Sequence, residues 1–338
     1  MARGIGWRRV GSKRRFSYLD ADGRRITDEE KLERIRALVI PPAWTDVWIS
    51  PSARAKLQAT GIDAAGRKQY LYHPSYRAKR EEAKYDKLIR FAEKLPDLRA
   101  TMAEHMELDG LPAERVAAIA VRLINLGWFR VGSDRYAKES RTFGITTLRK
   151  SHVRVRGSRI SFGYRGKHKI WIHSAIVDKE LAGAVRDLLE LPSPRLFRFD
   201  CGDGEHANLD SRRLNEYIRT HLGDEFTAKD FRTWGGTLLA AIELAEHDPP
   251  ESPTEAKRRV AAVMRHVGER LGNTPAVARA SYVSPAVVEQ YLDGRTIDDF
   301  RPRHLRVVGA RDVGLDREEL ATLSLLRSWR IRAARAAA

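Results

Sequence analysis

A tyrosine near the C-terminal end of the chain has the setting of a nucleophile. Tyr282 lies in residues 271–285, where one helix is expected to end at Gly272. Shorter helices are expected to begin at Thr274-Pro275 and at Ser284-Pro285. Tyr282 therefore lies in a joint between two short helices. A tyrosine inside a helix is usually a core residue, whereas one in such a joint can point into a groove.

Tyrosine is a demanding choice for attack on a phosphodiester. A phenol with a pKa near 10 is ionised in only about one part in a thousand at pH 7. The pentacoordinate phosphorus gains negative charge, so fixed guanidinium groups stabilise the transition state more than the ground state. The departing sugar oxygen needs a proton, which a lysine or arginine at a mobile tip could give, and an amide or imidazole could add a hydrogen bond. The chemistry calls for two arginines, one lysine, one neutral donor and one tyrosine.

Two arginines follow apolar helical patterns. Arg130 comes just after a helix that is predicted to begin at Pro112, and is either a surface residue with a buried stem or a fixed anion ligand. Arg232 lies in the first turns of an apolar helix that Thr227 and Asp230 are expected to begin. A guanidinium beside Phe231 and Trp234 would be partly buried, and a buried guanidinium needs an anion.

The lysine and the amide lie in other elements. A period of two predicts a three-stranded antiparallel meander over residues 152–156, 159–164 and 168–173, with Lys167 at a hairpin tip. Lysines at such tips are usually just solvated. Asn273 follows the strongest helical stripe of the chain, over residues 254–271. The run 200–206 matches no calcium or zinc spacing and is expected to be a loop.

A basic and aromatic strand is predicted in the N-terminal part of the chain, over residues 67–73. The two-residue period places Lys68, Tyr70 and Tyr72 on one face. Cations and phenols on one face suit a nucleic-acid groove, although a solvated sheet face has the same pattern.

Length and charge limit the class of protein. A chain of 338 residues predicts two domains, and a net charge of +17 with a pI near 10.1 indicates a polyanionic partner, for which the interleaved aromatic residues favour nucleic acid over a membrane. We found neither an apolar run of membrane-spanning length nor a signal-peptide pattern, so we expect a cytoplasmic protein. Cys201 is the sole cysteine, which excludes disulfides within the chain and thiolate zinc sites.

Five motifs occur in an order that is specific as a set, although each alone is weak. In this order the chain resembles the type IB DNA topoisomerases, especially the small poxvirus-like bacterial ones. The resemblance covers residues from about 15 to 295, with motifs at residues 66–72, 129–132, 166–167, 230–234 and 272–282.

The resemblance implies a role for each residue of the set. Tyr282 would be the nucleophile that forms a 3′-phosphotyrosyl bond, and Arg130 and Arg232 would hold the scissile phosphate. Lys167, helped by Arg130, would protonate the 5′ oxygen, and Asn273 would bond a non-bridging oxygen, although many relatives have histidine there. Contacts with DNA are expected from a further set of residues, namely Arg67, Lys68, Gln69, Tyr70, Tyr72 and Tyr136.

The resemblance also implies a fold and a mode of action. We expect an α+β protein in which a small N-terminal domain with an antiparallel sheet (residues 1–80) and a larger, mainly α-helical catalytic domain with a small three-stranded antiparallel sheet (residues 81–310) form a C-shaped clamp around duplex DNA. Residues 311–338 would be a basic helical tail that rests on DNA or is solvated. The reaction would be nicking, rotation and resealing of supercoiled DNA by a nucleoid-associated monomer, without ATP, metal or another cofactor.

Two other readings remain open. A site-specific tyrosine recombinase uses almost the same residues but joins two duplexes through a multimer, and the N-terminal domain with residues 66–72 argues against it. A non-enzymatic DNA-binding protein would need the charge alone.

Overall fold

The computed structural model describes residues 5–12, 15–202, 204–247, 250–301 and 314–337. It forms two compact units, Met1–Asp86 and Lys87–Ala338. The division falls close to the boundary expected at residue 80, whereas the boundary expected between residues 310 and 311 lies outside the described residues. Among the described helices, none is both long and apolar enough to cross a membrane.

The smaller unit contains the expected antiparallel sheet. Its strands are β1 (Trp7–Ser12), β2 (Arg15–Leu19), β3 (Thr45–Ile49), β4 (Leu57–Ile62) and β5 (Lys68–Tyr72), in the order β2-β1-β3-β4-β5. Helix α1 (Glu29–Ala37) packs its buried Ile35 into a core with Trp7, Val47 and Ile49. Strand β5 is an edge strand, so one of its sides is free of sheet pairing.

A long helix, α2 (Pro74–Met106), crosses from the first unit into the second. It contains Pro96, and a proline ordinarily ends or kinks a helix because it lacks an N–H to donate. The helix continues because its apolar face is buried on both sides of the proline, at Leu88 and Leu95 before or beside it and at Leu98 and Met102 after it. One missing hydrogen bond is outweighed by that burial.

The larger unit is mainly helical. Its remaining helices are α3 (Ala113–Gly127), α4 (Asp134–Glu139), α5 (Lys179–Glu190), α6 (Ser211–Leu222), α7 (Ala228–Ala245), α8 (Pro253–Leu271), α9 (Pro275–Ser281), α10 (Pro285–Leu292) and α11 (Arg317–Ala337). Its strands are β6 (Val153–Arg156), β7 (Arg159–Arg165), β8 (Trp171–Val177), β9 (Arg198–Gly202) and β10 (Glu205–Asn208). The predicted fold class, apart from the arrangement of its two domains, is confirmed.

Strands β6, β7 and β8 form the predicted three-stranded antiparallel meander. The third strand begins at Trp171 rather than at residue 168, because residues 167–169 form a short 3₁₀ turn in which His168 and Lys169 have left-handed backbone angles. The prediction of a loop over residues 200–206 was wrong. Most of this range belongs to β9 and β10, which pair as an antiparallel hairpin.

Helix α11 is packed into the larger unit, an outcome that neither sequence reading of the tail included. Glu319 is only 4% exposed and accepts hydrogen bonds from both terminal nitrogens of Arg99 on α2, at 2.7 and 2.8 Å, and from Trp234 on α7, at 3.2 Å. The backbone oxygen of Leu325 accepts a hydrogen bond from Gln290 on α10. Helix α11 therefore joins three helices of the larger unit.

Candidate active site

Helix α7 buries the first of the candidate arginines. Arg232 lies in its second turn, after a capping box between Thr227 and Asp230, and is only 6% exposed. Its Nη2 donates to the backbone oxygen of Leu271, at 2.7 Å, and its Nη1 donates to that of Trp128. Its buried Nε has no hydrogen-bond partner in the described part of the chain.

The second arginine reaches the same place from another direction. Helix α3 ends at Gly127, and the left-handed backbone of Trp128 after it turns the chain so that Arg130 approaches the end of α8. Arg130 Nη2 donates to the oxygen of Gly272, at 2.8 Å, and to Oδ1 of Asn273, at 2.6 Å. The C-terminal end of α8, whose last carbonyls have no partner within the helix, orients both guanidinium groups.

Neither of these arginines pairs with a carboxylate within the described residues. Other partly buried arginines of the same unit do, because Arg99 pairs with Glu319 and Arg122 pairs with Asp178. Burial lowers the pKa of both Arg130 and Arg232, and the charge of Arg232 lowers that of Arg130 further. The two guanidinium groups thus concentrate positive charge that only neutral carbonyl groups balance, which is the requirement for an anion site.

Tyr282 lies against this charge. The residue ends α9, as the sequence predicted, and its half-buried ring centroid lies 5.1 Å from the guanidinium carbon of Arg232. Burial alone would raise the pKa of the phenol. The positive charges of Arg232, Lys229 and Arg130 outweigh it, so the pKa of Tyr282 is lower than that of an ordinary tyrosine.

A second tyrosine shows that closeness to the arginines is not enough to lower the pKa of a phenol. Tyr164 on β7 also feels the charges of Arg130 and Arg232, but it is buried. Its burial dominates and raises the pKa of its phenol far above the ordinary value. Of these two tyrosines, only Tyr282 combines access with a stabilised phenolate.

The side chain of Asn273 is oriented by Arg130. Since its Oδ1 accepts from Arg130, its Nδ2 is left as the donor, and its other contact is a long one of 3.4 Å to the oxygen of Leu271. Gly272 before it has a left-handed φ of 60°, and the position of a β-carbon there would lie 3.2 Å from Nη1 of Arg130. A glycine at this position therefore gives Arg130 its room.

The structure does not fix Lys167. The residue is exposed in the turn between β7 and β8, and it forms no hydrogen bond or ion pair with other described residues. The turn itself is near the arginines, because the side chain of Ile172 approaches both Gly166 and Gly272. A cleft of about 430 Å³ is lined by residues that include Arg130, Arg232, Gly166 and Gly272.

One contact of the site, made by a buried threonine, could not be foreseen from the sequence. Thr237 on α7 donates a hydrogen bond to the backbone oxygen of Tyr282, at 3.2 Å. The signal available was weak, because a single threonine in an apolar helix more often bonds within its own helix. We found no group of three His, Cys, Asp or Glu residues in the described ranges that could hold a metal ion.

The N-terminal candidates lie on the edge strand β5. Tyr70 and Tyr72 stack with ring centroids 6.2 Å apart, and Lys68 Nζ lies 5.7 Å from the Tyr70 centroid, so the predicted common face is confirmed. The side chains of Arg67 and Gln69 both donate to Asp63. The hydrogen bonds from Arg67, with that from Gln69, hold the pKa of Asp63 at about 2.

Tyr136 lies on α4, in the larger unit, and is 51% exposed. Beside this helix is a second cleft, of about 790 Å³, which sequence reasoning did not find because its basic residues come from four separate segments. The cations that line it are Lys138, Arg141, Arg149, Arg165 and Arg195. A cleft of this charge suits a polyanion.

Comparison with known families assigns both units. The model described as "Eukaryotic DNA topoisomerase I, catalytic core" matches residues 73–298, and the model described as "Bacterial DNA topoisomerase IB, N-terminal domain" matches residues 15–63. The first match alone covers about two thirds of the chain.

Individual relatives agree with the family models. "DNA topoisomerase 1B" of Acanthamoeba polyphaga mimivirus is 30% identical over 295 residues, which cover 85% of this chain and 87% of the relative. "DNA topoisomerase I" of Monkeypox virus is 24% identical over 279 residues, which cover 80% of this chain and 85% of the relative. "DNA topoisomerase 1" of Candida albicans is 28% identical over 162 residues, which cover 45% of this chain and 20% of the relative.

These matches are all to type I DNA topoisomerases, which are isomerases of DNA. The chain belongs to the type IB DNA topoisomerase family, with an N-terminal domain of the bacterial kind. The resemblance stated from the five motifs is thereby confirmed.

Proposed function

We propose that this chain relaxes supercoiled duplex DNA by cutting one strand with Tyr282, allowing rotation about the intact strand, and resealing the cut. The observation that carries the proposal is a buried guanidinium, of Arg232, and a partly buried one, of Arg130, which have no carboxylate partner among the described residues and lie beside a tyrosine whose pKa they lower. A phosphodiester supplies the missing negative charge. The tyrosine supplies the nucleophile.

In the cleavage step, the Tyr282 phenolate forms a bond to phosphorus while the bond from phosphorus to the 5′ oxygen breaks. Arg130 and Arg232 hold the non-bridging oxygens, and Asn273 donates to one of them through Nδ2. Lys167 gives its proton to the departing 5′ oxygen, for which an exposed turn leaves it free to move. In the resealing step the 5′ hydroxyl attacks phosphorus and gives its proton to Lys167, while the bond from phosphorus to Tyr282 breaks and the phenolate leaves.

The energy of the cycle stays within the substrate. The phosphotyrosyl bond conserves the energy of the broken phosphodiester, and superhelical torque drives the rotation. The scheme has no step that consumes a nucleotide or requires a metal ion.

We assign residues 1–80 to binding the other side of the duplex, as the second arm of a clamp, and residues 81–310 to catalysis, with 311–338 as a C-terminal segment. The stacked face of Lys68, Tyr70 and Tyr72 supports this assignment, since phosphates bind the charge and base edges bind the polar ring tips. A clamp of this kind acts as a monomer on the nucleoid in the cytoplasm.

Plasmid relaxation in a chelator, without ATP, tests the proposal. The wild-type protein should relax supercoils and leave protein attached to a 3′ end on a denaturing gel. Tyr282→Phe should slow relaxation by at least about 10⁴-fold, because the nucleophile is lost. Its affinity for DNA should be nearly unchanged.

Tyr164→Phe is the matched control, because it removes a phenol from the same electrostatic surroundings. It should still form the covalent link. The proposal is wrong if Tyr282→Phe relaxes plasmid at the wild-type rate. Recombinant products that need two duplexes and a multimer would instead indicate a recombinase.

A further inference from the structure

The hydroxyl of Thr237 bridges two backbone groups on either side of the joint that carries Tyr282. It donates to the backbone oxygen of Tyr282, at 3.2 Å, and accepts from the backbone nitrogen of Ser284, at 3.1 Å. The residue is 0% exposed. Water therefore does not reach the Thr237 side chain, and the bond with Ser284 is buried.

These backbone groups lie where neither short helix can satisfy them. The nitrogens of Tyr282 and Val283 both bond back to the oxygen of Ala278, which completes the end of α9. The oxygen of Tyr282 and the nitrogen of Ser284 lie beyond that end and before α10. A buried backbone group without a partner is costly, and a hydroxyl can satisfy two at once because it both donates and accepts.

Helix α7 carries Arg232 and also contacts the backbone of Tyr282. Arg232 lies five residues before Thr237, little more than one turn along the same helix. Between them, Gly236 lies close to Tyr282. A β-carbon at position 236 would be 2.9 Å from the backbone oxygen of Tyr282 and 3.2 Å from the Cβ of Tyr282. The backbone of α7 thus lies directly against Tyr282.

We propose that Thr237 is a positioning residue, whose bridge fixes the backbone of Tyr282 relative to Arg232. The inference rests on the proposed function, in which the phenolic oxygen of Tyr282 must line up with a phosphate that Arg232 holds. Without the bridge, the joint between α9 and α10 takes a wider range of backbone angles, and the phenol is less often in line. Strand cleavage and resealing share this geometry, so both should depend on the bridge, whereas affinity for DNA should not.

Single-turnover kinetics on a DNA substrate that traps the cut strand test the inference. Thr237→Val keeps the shape of the side chain and removes the bridge. Cleavage and resealing should each slow by about 10- to 100-fold, in proportion, because small misplacements of a nucleophile have effects of this size. The dissociation constant for DNA should stay within about two-fold of the wild-type value, since the phosphate-binding side chains are retained.

Three further variants separate positioning from a general effect on the fold. Thr237→Ser restores the hydroxyl and should recover the wild-type rates. Thr237→Cys, a weaker donor, should give intermediate rates and serves if the valine variant does not fold. Thr233→Val is the matched control on the same helix, because among the described residues the Thr233 hydroxyl bonds only to the backbone oxygen of Lys229 in its own helix, at 3.4 Å. Its cleavage rate should be unchanged.

The inference is overturned if Thr237→Val cleaves at the wild-type rate, if Thr233→Val slows cleavage as much, or if serine fails to restore the rate. Each of these results leaves the covalent link of the wild-type protein intact and so leaves the proposed function standing. A wild-type protein that forms no link through Tyr282 would remove both.

Discussion

The two sides of the proposed active site are built differently. On one side, which we call the anion centre, Arg130, Arg232, Asn273 and Tyr282 are each held by contacts with backbone or side-chain groups of another element. On the other side is the turn between β7 and β8, residues 166–169. There Lys167 is exposed and forms no hydrogen bond or ion pair with the described residues, and two residues have left-handed backbone angles.

This difference matches the two tasks. Groups that stabilise a developing charge act best when they are already in place, because no reorganisation is then needed in the transition state. A proton donor has to follow an oxygen that moves away as the strand breaks. A rigid centre and an exposed donor therefore meet opposite demands within one site.

The largest effect should come from the anion centre. Arg232→Gln keeps a hydrogen-bond donor but removes the charge, and should slow strand cleavage by about 10³-fold, the scale seen when a transition-state charge loses its partner. Single-turnover cleavage at saturating protein measures it. A loss of less than ten-fold would mean that Arg232 does not hold the scissile phosphate.

Arg122→Gln is the matched control for this change. Arg122 pairs with Asp178, so its loss leaves a nearly buried carboxylate unpaired and should lower the free energy of unfolding by about 1–3 kcal/mol. Its cleavage rate per folded molecule should be unchanged. Arginines paired with carboxylates and the unpaired ones at the anion centre would then be distinguished by experiment.

The exposed turn should give a smaller and more selective effect. Lys167→Ala should slow cleavage by about 10²-fold, because the proposed general acid is lost. In a substrate with sulfur in place of the 5′ bridging oxygen, the 5′ strand leaves as a thiolate, and this leaving group needs no proton. On that substrate Lys167→Ala should cleave nearly as fast as wild type, whereas Arg232→Gln should remain slow, and equal rescue of both variants would erase the proposed division of tasks.

The smallest effect should come from the amide. Asn273→Ala should slow cleavage by about ten-fold, the lower end of the roughly 1.5–3 kcal/mol that a hydrogen bond to a charged oxygen contributes, because Arg130 keeps its bond to Gly272. Asn273→His retains a donor and should stay within a few-fold of wild type, as measured by the same cleavage assay. A histidine variant as slow as the alanine variant would show that the Oδ1 contact with Arg130, rather than donation to phosphate, is what matters.

Local patterns were enough to predict the scaffold that delivers the anion centre. The apolar stripe that ends at Leu271, the glycine after it and the Thr274-Pro275 start all depend on interactions within a few residues, and the structure has them where the sequence predicted them. Strand β4 was missed, because small and polar residues such as Gln58 and Gly61 carry little strand preference and are held by the neighbouring strands.

Long-range partners could not be read from such patterns. The backbone oxygens of Trp128 and Leu271 that fix Arg232 are 104 and 39 residues away in sequence. The order of motifs carried the grouping of Arg130, Arg232, Lys167, Asn273 and Tyr282, because it reflects a known family. The Thr237 bridge belongs to neither source, since the position of its hydroxyl depends on how α7 packs against the joint.

The place of α11 in the chain has a consequence for the newly made protein. Every proposed catalytic residue leaves the ribosome before Glu319, the carboxylate that Arg99 and Trp234 share. Until α11 emerges, Arg99 and Trp234 lack this shared carboxylate, and α7 lacks one of its packing partners. A nascent chain thus carries its proposed nucleophile before the helix that packs against the surrounding helices.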